Sequence, residues 1–137
     1  DAEFRKKVQN YYFNLRERAR DIADHYLKRA RADADFRKNE EEIKATEIKL
    51  AKAEALGGGT TELESSLKDL KTRRAALLKS MNLKESMLVP QYRCKKCNDT
   101  GFDKDGNVCS CYKEFVENAS DEKKLENILD VYSNIEL

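Results

Sequence analysis

Apolar positions in the first part of the chain fall at Phe4, Val8, Tyr11 or Tyr12, Leu15, Ala19, Ile22 and Tyr26, in steps of four and three. Such steps draw one stripe down a helix face and also fit a heptad seam. The stripe weakens through Ala30-Arg31-Ala32-Asp33-Ala34-Asp35 and resumes at Phe36, Ile43, Leu50 and Leu56, so residues 37 to 56 read as a second helical segment. Asn39, followed by three glutamates, is a candidate cap for a separate helix, because acids favour a first turn. One continuous helix through 33 to 39 fits the pattern equally well. Gly57-Gly58-Gly59 is a stop that lets the chain reverse. Thr61 with Glu64 then carries a capping-box signature, and Leu63, Leu67, Leu70, Leu77 and Met81 follow at helical spacing over 61 to 81.

Two segments of nearly equal length about a tight reversal predict an antiparallel hairpin, each arm about 30 Å long. Two helices alone cover both stripes poorly. Residues 4 to 32 are therefore expected to fold back as a third helix, or to pair with another copy of the chain or with a partner protein. The fold class is mainly α, a helical coiled-coil hairpin or three-helix bundle over residues 1–83. Pro90 marks the passage into a polar module over 84–118. A last helical stretch over 119–137 is expected from Ser120, a good N-cap, with Leu125, Ile128 and Leu129 on one side.

Composition narrows the picture. Charged residues make up 39% of the chain and the mean hydropathy is −0.85, so apolar residues suffice for stripes rather than for a large globular core. The net charge of +1 hides an asymmetry: residues 5 to 31 carry nine Lys/Arg against three acids, and 114 to 137 carry seven acids against two lysines. The sequence contains no run of eighteen apolar residues and no secretory signal, which argues against membrane insertion or export and for a cytoplasmic protein. The start at Asp1 and the end at Ile135-Glu136-Leu137 suggest a fragment of a longer chain.

All four cysteines, Cys94, Cys97, Cys109 and Cys111, lie within eighteen residues. Cys-x2-Cys followed eleven residues later by Cys-x-Cys supplies a complete four-sulfur shell for one tetrahedral Zn2+. With no coordination position left for water or substrate, such a metal has a structural role: it folds a segment too short and polar to build a core. Asn98-Asp99-Thr100-Gly101 and Asp103-Lys104-Asp105-Gly106-Asn107 are turn formers that bring the second pair back to the first, with Tyr92 and Phe102 expected beside the sulfurs. Disulfides and a redox couple are the competing readings, disfavoured by the lack of a secretory signal and of a βαβ pattern. The same shell also accepts iron.

The run Leu88-Val89-Pro90-Gln91-Tyr92-Arg93-Cys94-Lys95-Lys96-Cys97-Asn98-Asp99-Thr100-Gly101-Phe102, followed by Gly106-Asn107-Val108-Cys109-Ser110-Cys111-Tyr112-Lys113, resembles the amino-terminal region of bacterial and phage DnaC/IstB-type helicase loaders. The likeness is strongest over residues 83 to 115. It implies a helical region and a four-cysteine zinc module preceding an AAA+ ATPase domain. It further implies docking onto a DnaB-type replicative hexameric helicase, with ATP and single-stranded DNA bound by the full-length protein. No G-x-x-x-x-G-K-[ST] occurs in this chain, so the segment itself is not expected to hydrolyse ATP. DnaJ-type cysteine-rich modules offer a weaker likeness, since the second pair here is C-x-C and no Gly-x-Gly is present.

A second class of function is a zinc-containing nucleic-acid-binding or self-associating coiled-coil protein. Arg5, Lys6, Lys7, Arg16, Arg18, Arg20, Lys28, Arg29 and Arg31 are available for phosphates, with Tyr11, Tyr12 and Phe13 for stacking on bases. Catalysis has little support: His25 is the sole histidine, and its neighbours Asp21 and Asp24 form no nucleophilic constellation. Loss of one ligand, as in Cys97→Ser, is expected to unfold residues 90 to 115 and to leave the helical hairpin in place, which circular dichroism would report.

Overall fold

A computed structural model describes residues 2–117. The described residues form four helices: α1 (Ala2–Arg31), α2 (Ala34–Ala55), α3 (Thr61–Ser80) and the short α4 (Ser110–Glu117). A single 3-10 turn covers Glu85–Leu88. Among these residues the only β pairing is an isolated bridge between Phe102 and Val108. The chain is mainly helical, with a helical hairpin followed by a four-cysteine cluster. The helix expected from Ser120 lies outside the described residues.

α1 and α2 are separate helices. α1 ends at Arg31, and Asp33 takes an extended conformation (φ −82°, ψ 124°) while its Oδ1 accepts the amide of Phe36 at 2.9 Å. This is an N-cap, and it satisfies one of the donors left open at the start of α2. Asn39, the expected cap, instead lies inside α2 and is 1% exposed. Its Nδ2 donates to the carbonyl of Leu70 in α3 at 3.0 Å, and its Oδ1 is buried with no hydrogen-bond partner among the described residues.

Both arms of the hairpin end in the same way. Gly57 adopts φ +69° past the end of α2, its amide donates to Glu54 O at 3.3 Å, and the Gly58 amide donates to Ala53 O at 2.9 Å. At the end of α3, Asn82 adopts φ +58°, its amide donates to Lys79 O at 3.0 Å, and the Leu83 amide donates to Leu78 O at 2.9 Å. Both are Schellman motifs, which close orphan carbonyls and favour an apolar contact across the turn. Leu78 and Leu83 make that contact and share a core cluster. The triple glycine thus stops α2 as expected. The start of α3 falls one residue earlier than the capping-box reading: Thr60 is the N-cap residue, and its hydroxyl donates to Glu64 Oε1 at 3.0 Å rather than the threonine side chain accepting from a first-turn amide.

Of the described residues, 23–89 form one compact unit and 2–22 with 90–117 form another. In the first, Ala30, Phe36, Leu78, Leu83 and Leu88 are the buried cluster, with Tyr26, Leu27, Leu77, Met81 and Met87 packed against it. Arg74 closes its edge, with its guanidinium 5.5 Å from the Phe36 ring centre, Nε donating to Glu40 at 2.7 Å and Nη1 paired with Glu85. α2 and α3 are the helices that pack against each other. Farther toward the glycine turn their contact thins: Leu50, Leu63, Leu67 and Leu70 are half-buried, Ile48 is exposed and Leu56 is 86% exposed.

The second unit has its own cluster of Val8, Tyr11 and Tyr12, joined by Phe4, Leu15, Cys111, Tyr112 and Phe115. The sequence assigned residues 1–83 to the helical region and 84–118 to the metal module, whereas residues 2–22 share a core with the cysteine segment. The physical reason is that the tyrosine doublet of α1 faces the aromatic residues of α4. His25 is exposed and stands edge-on to Tyr26, as an ordinary solvated helical histidine does.

Leu78→Ala is expected to cost about 2–4 kcal/mol, because Leu78 is 2% exposed and also carries the Schellman contact with Leu83. Urea unfolding of the variant beside the parent chain measures the loss.

Candidate metal centre

The cysteine segment is built from turns. Asn98 and Asp99 both have positive φ (55° and 59°) and Gly101 has φ +84°, so the chain curls tightly after Cys97. The carboxylate of Asp99, 1% exposed, fixes that curl from the inside: Oδ2 accepts the Arg93 amide at 2.8 Å and Oδ1 the Cys94 amide at 2.7 Å. Charge-assisted bonds of this length are strong. Thr100 Oγ1 donates to Cys97 O at 2.8 Å, and the Gly101 amide donates to Cys97 Sγ at 3.4 Å.

The chain then runs out and back. Phe102 and Val108 bridge, the Asp103 amide donates to Asn107 O at 2.8 Å, and Asp103 Oδ1 accepts from the amides of Asp105 and Asn107, both at 2.9 Å. Gly106 supplies φ +82° at this turn. The Cys109 amide donates to Gly101 O at 2.8 Å, which sets the second cysteine pair beside the first. α4 begins at Ser110, inside the Cys109-x-Cys111 turn.

The four sulfurs of Cys94, Cys97, Cys109 and Cys111 all lie within 4.8 Å of one another, with Cys97 and Cys109 buried and the other two half-buried. Cys94 Sγ to Cys109 Sγ is 3.9 Å and Cys97 Sγ to Cys111 Sγ is 3.7 Å. A tetrahedron with metal–sulfur bonds of about 2.3 Å has edges of about 3.8 Å. These residues can therefore hold one metal ion, and the two edges of 3.9 and 3.7 Å match that tetrahedron. Burial pushes the Cys111 thiol up to about 12, while Cys109 is drawn down to about 7, first by the backbone amide of Cys111. A cation among the sulfurs dominates such differences, because a coordinating thiol is deprotonated outright.

Sequence reasoning placed Tyr92 and Phe102 beside the sulfurs. Phe102 is 47% exposed and bridges to Val108, and Tyr92 is hydrogen-bonded to Arg20. An aromatic beside the sulfurs is Tyr12 of α1, separated from Cys111 by 99 positions in the sequence, with its hydroxyl 3.3 Å from Cys111 Sγ. Its ring stacks with Tyr112 at 6.2 Å and meets Tyr11 edge-on at 5.2 Å. A Cβ on Gly101 would lie 3.2 Å from the Tyr12 ring, so that glycine is required both by its positive φ and by this approach. Burial, and then the bond to Cys111, raise the Tyr12 pKa far above its ordinary value, so the phenol keeps its proton. Tyr11 stacks on Phe115 at 5.1 Å and accepts from Arg93 Nη1 at 3.4 Å, and Arg16 Nη1 donates to the main-chain carbonyl of Asp99 at 2.8 Å. Of this surrounding shell, sequence reasoning named Asp99 only as a turn former, Arg16 only as a candidate nucleic-acid contact, and Tyr12 as a position on the apolar stripe and a candidate stacking residue.

No known protein family, curated protein or solved structure matches this chain. No helix among the described residues is long and apolar enough to cross a membrane.

Two outcomes follow from this geometry. Asp99→Ala removes the acceptor of two part-buried amides, at a cost of about 1 kcal/mol each, and is expected to weaken metal binding in a chelator competition. Metal affinity is expected to fall as pH is lowered from about 8 to about 6, because protons then compete for the four thiolates; the same competition, run across that range, measures it.

Proposed function

We propose that this chain is the amino-terminal, partner-docking region of a DnaC/IstB-type replicative helicase loader, stabilised by structural zinc. The observation that carries the reading is the cysteine segment itself: Pro90-Gln91-Tyr92-Arg93-Cys94, Cys97-Asn98-Asp99-Thr100-Gly101-Phe102 and Cys109-Ser110-Cys111-Tyr112-Lys113, following a helical hairpin. Zinc is the ion of choice because a closed four-thiolate tetrahedron suits its soft, geometry-tolerant chemistry, and such a shell gives a folding role rather than a catalytic one. In this reading the protein works in the cytoplasm, the segment binds a DnaB-type hexameric helicase and hydrolyses nothing, and ATP and single-stranded DNA are handled by an AAA+ domain elsewhere in the full-length protein.

A second reading draws on the exposed side of α1. Phe13 is 52% exposed with the Arg16 guanidinium 5.9 Å from its ring centre, and Arg5, Lys6, Arg18 and Arg20 are exposed on the same helix. Exposed aromatic and cationic groups together are what single-stranded nucleic acid needs. Tyr11 and Tyr12, which the sequence offered as stacking residues, are buried in the aromatic cluster and do not support it.

Light scattering of the chain mixed with the replicative helicase from the same source tests the first reading. A co-eluting complex of defined stoichiometry is the expected result, and separate elution at micromolar concentrations sinks it. Binding of single-stranded DNA that tightens steeply as salt is lowered would move the weight to the second reading.

A further inference from the structure

We infer that the amino-terminal part of α1 belongs to the metal centre: Tyr12 is a positioning residue that orients the Cys111 sulfur, and metal occupancy decides whether residues 2–22 remain packed on the cysteine segment. The inference rests on the metal-binding reading and is independent of the helicase reading.

α1 reaches both cysteine pairs. At the second pair, the Tyr12 hydroxyl is 3.3 Å from Cys111 Sγ and its ring stacks on Tyr112. At the first, Arg16 donates to the carbonyl of Asp99, the residue whose carboxylate holds the Arg93 and Cys94 amides. Between the pairs, the Tyr12 ring lies against Gly101, whose amide donates to Cys97 Sγ and whose carbonyl accepts from Cys109. Residues bonded to the side chains that ligate a metal orient those side chains and tune the metal. A thiolate accepts the phenol hydrogen well, and a buried phenol requires such a partner.

The coupling runs in both directions. The cysteine segment has little apolar substance of its own, so the cation that gathers four thiolates is what keeps its turns closed. When those turns open, Tyr12 loses its acceptor, Arg16 loses the Asp99 carbonyl, and the apolar stripe at Val8, Tyr11 and Tyr12 loses its cover. Metal release thereby exposes that stripe, while the core of Phe36, Leu78, Leu83 and Leu88 contains no residue of the cysteine segment and is expected to persist.

The test uses the full chain and Co2+, whose thiolate charge-transfer bands report ligand electronics. Co2+ that produces no tetrahedral tetrathiolate spectrum with the parent chain removes the metal reading itself. Given that spectrum, Tyr12→Phe keeps the ring and loses the O–H, and is expected to weaken Co2+ binding by about 10- to 100-fold and to move the charge-transfer band to lower energy. In hydrogen exchange on the parent chain, amides of residues 5–20 are expected to lose protection on chelation while α2 and α3 keep theirs. An affinity for Tyr12→Phe within about twofold of the parent with an unmoved band overturns the inference. So does unchanged protection of residues 5–20 after complete metal removal, and this second measurement decides the matter alone if the variant fails to fold.

Discussion

The buried carboxylate of Asp99 is the constraint on which the cysteine segment depends. Two amides that would otherwise be stranded inside a tight turn both point at it, and one of them belongs to Cys94 of the four-cysteine cluster. Its own backbone is held at positive φ, a conformation that a bulky residue resists and that Asp tolerates because its short side chain can bond locally. Side chain, carbonyl and backbone angle thus act together: the first gathers the loop, the second receives Arg16 from α1, and the third points the chain onward through Thr100 and Gly101 toward the second cysteine pair. Hydrophobic burial has a smaller share here than in the α2–α3 region, where Leu78, Leu83 and Leu88 are withdrawn from water.

The helices were legible because their determinants are local. Steps of three and four, a triple glycine and a threonine–glutamate pair all act within a few residues, and the observed ranges of α2 and α3 fall within three residues of the expected ones. The capping details were less so. Asp33 and Asn39 are both plausible caps by residue type, and only the tertiary environment separates them: Asn39 is enclosed by α3, where a helix start has no place. The clustering of the four cysteines was legible from spacing alone. Their surroundings were not, because the bond between Tyr12 and Cys111 joins positions 99 apart and no periodicity connects them. A polar-tipped aromatic doublet inside an apolar stripe is the one hint the sequence offered, since a buried phenol must find an acceptor.

The assignment of α1 shows how a correct element can be given the wrong neighbour. Its stripe runs from Phe4 to Tyr26 in steps of four and three, and sequence periodicity reads such a stripe as one surface with one partner. The packing divides it. Val8, Tyr11 and Tyr12 meet aromatic residues and sulfur, whereas Ala30 with Tyr26 and Leu27 joins leucines, methionines and Phe36. Residue size is the clue in hindsight: the buried positions of the first stretch include the Tyr11 and Tyr12 rings, and those of the second are the alanines at 23 and 30.

Asn39 has a consequence for the pairing of α2 with α3. Leucine-rich antiparallel helices can slide past one another by a turn and regain most of their apolar contact, so leucine alone leaves several alignments close in energy. An amide side chain in that seam removes the degeneracy, for its Nδ2 finds the Leu70 carbonyl in one alignment and would be stranded in a slipped one. The burial of its Oδ1, unpartnered among the described residues, is then the stability surrendered for a single alignment, as with a lone polar residue in the seam of a coiled coil.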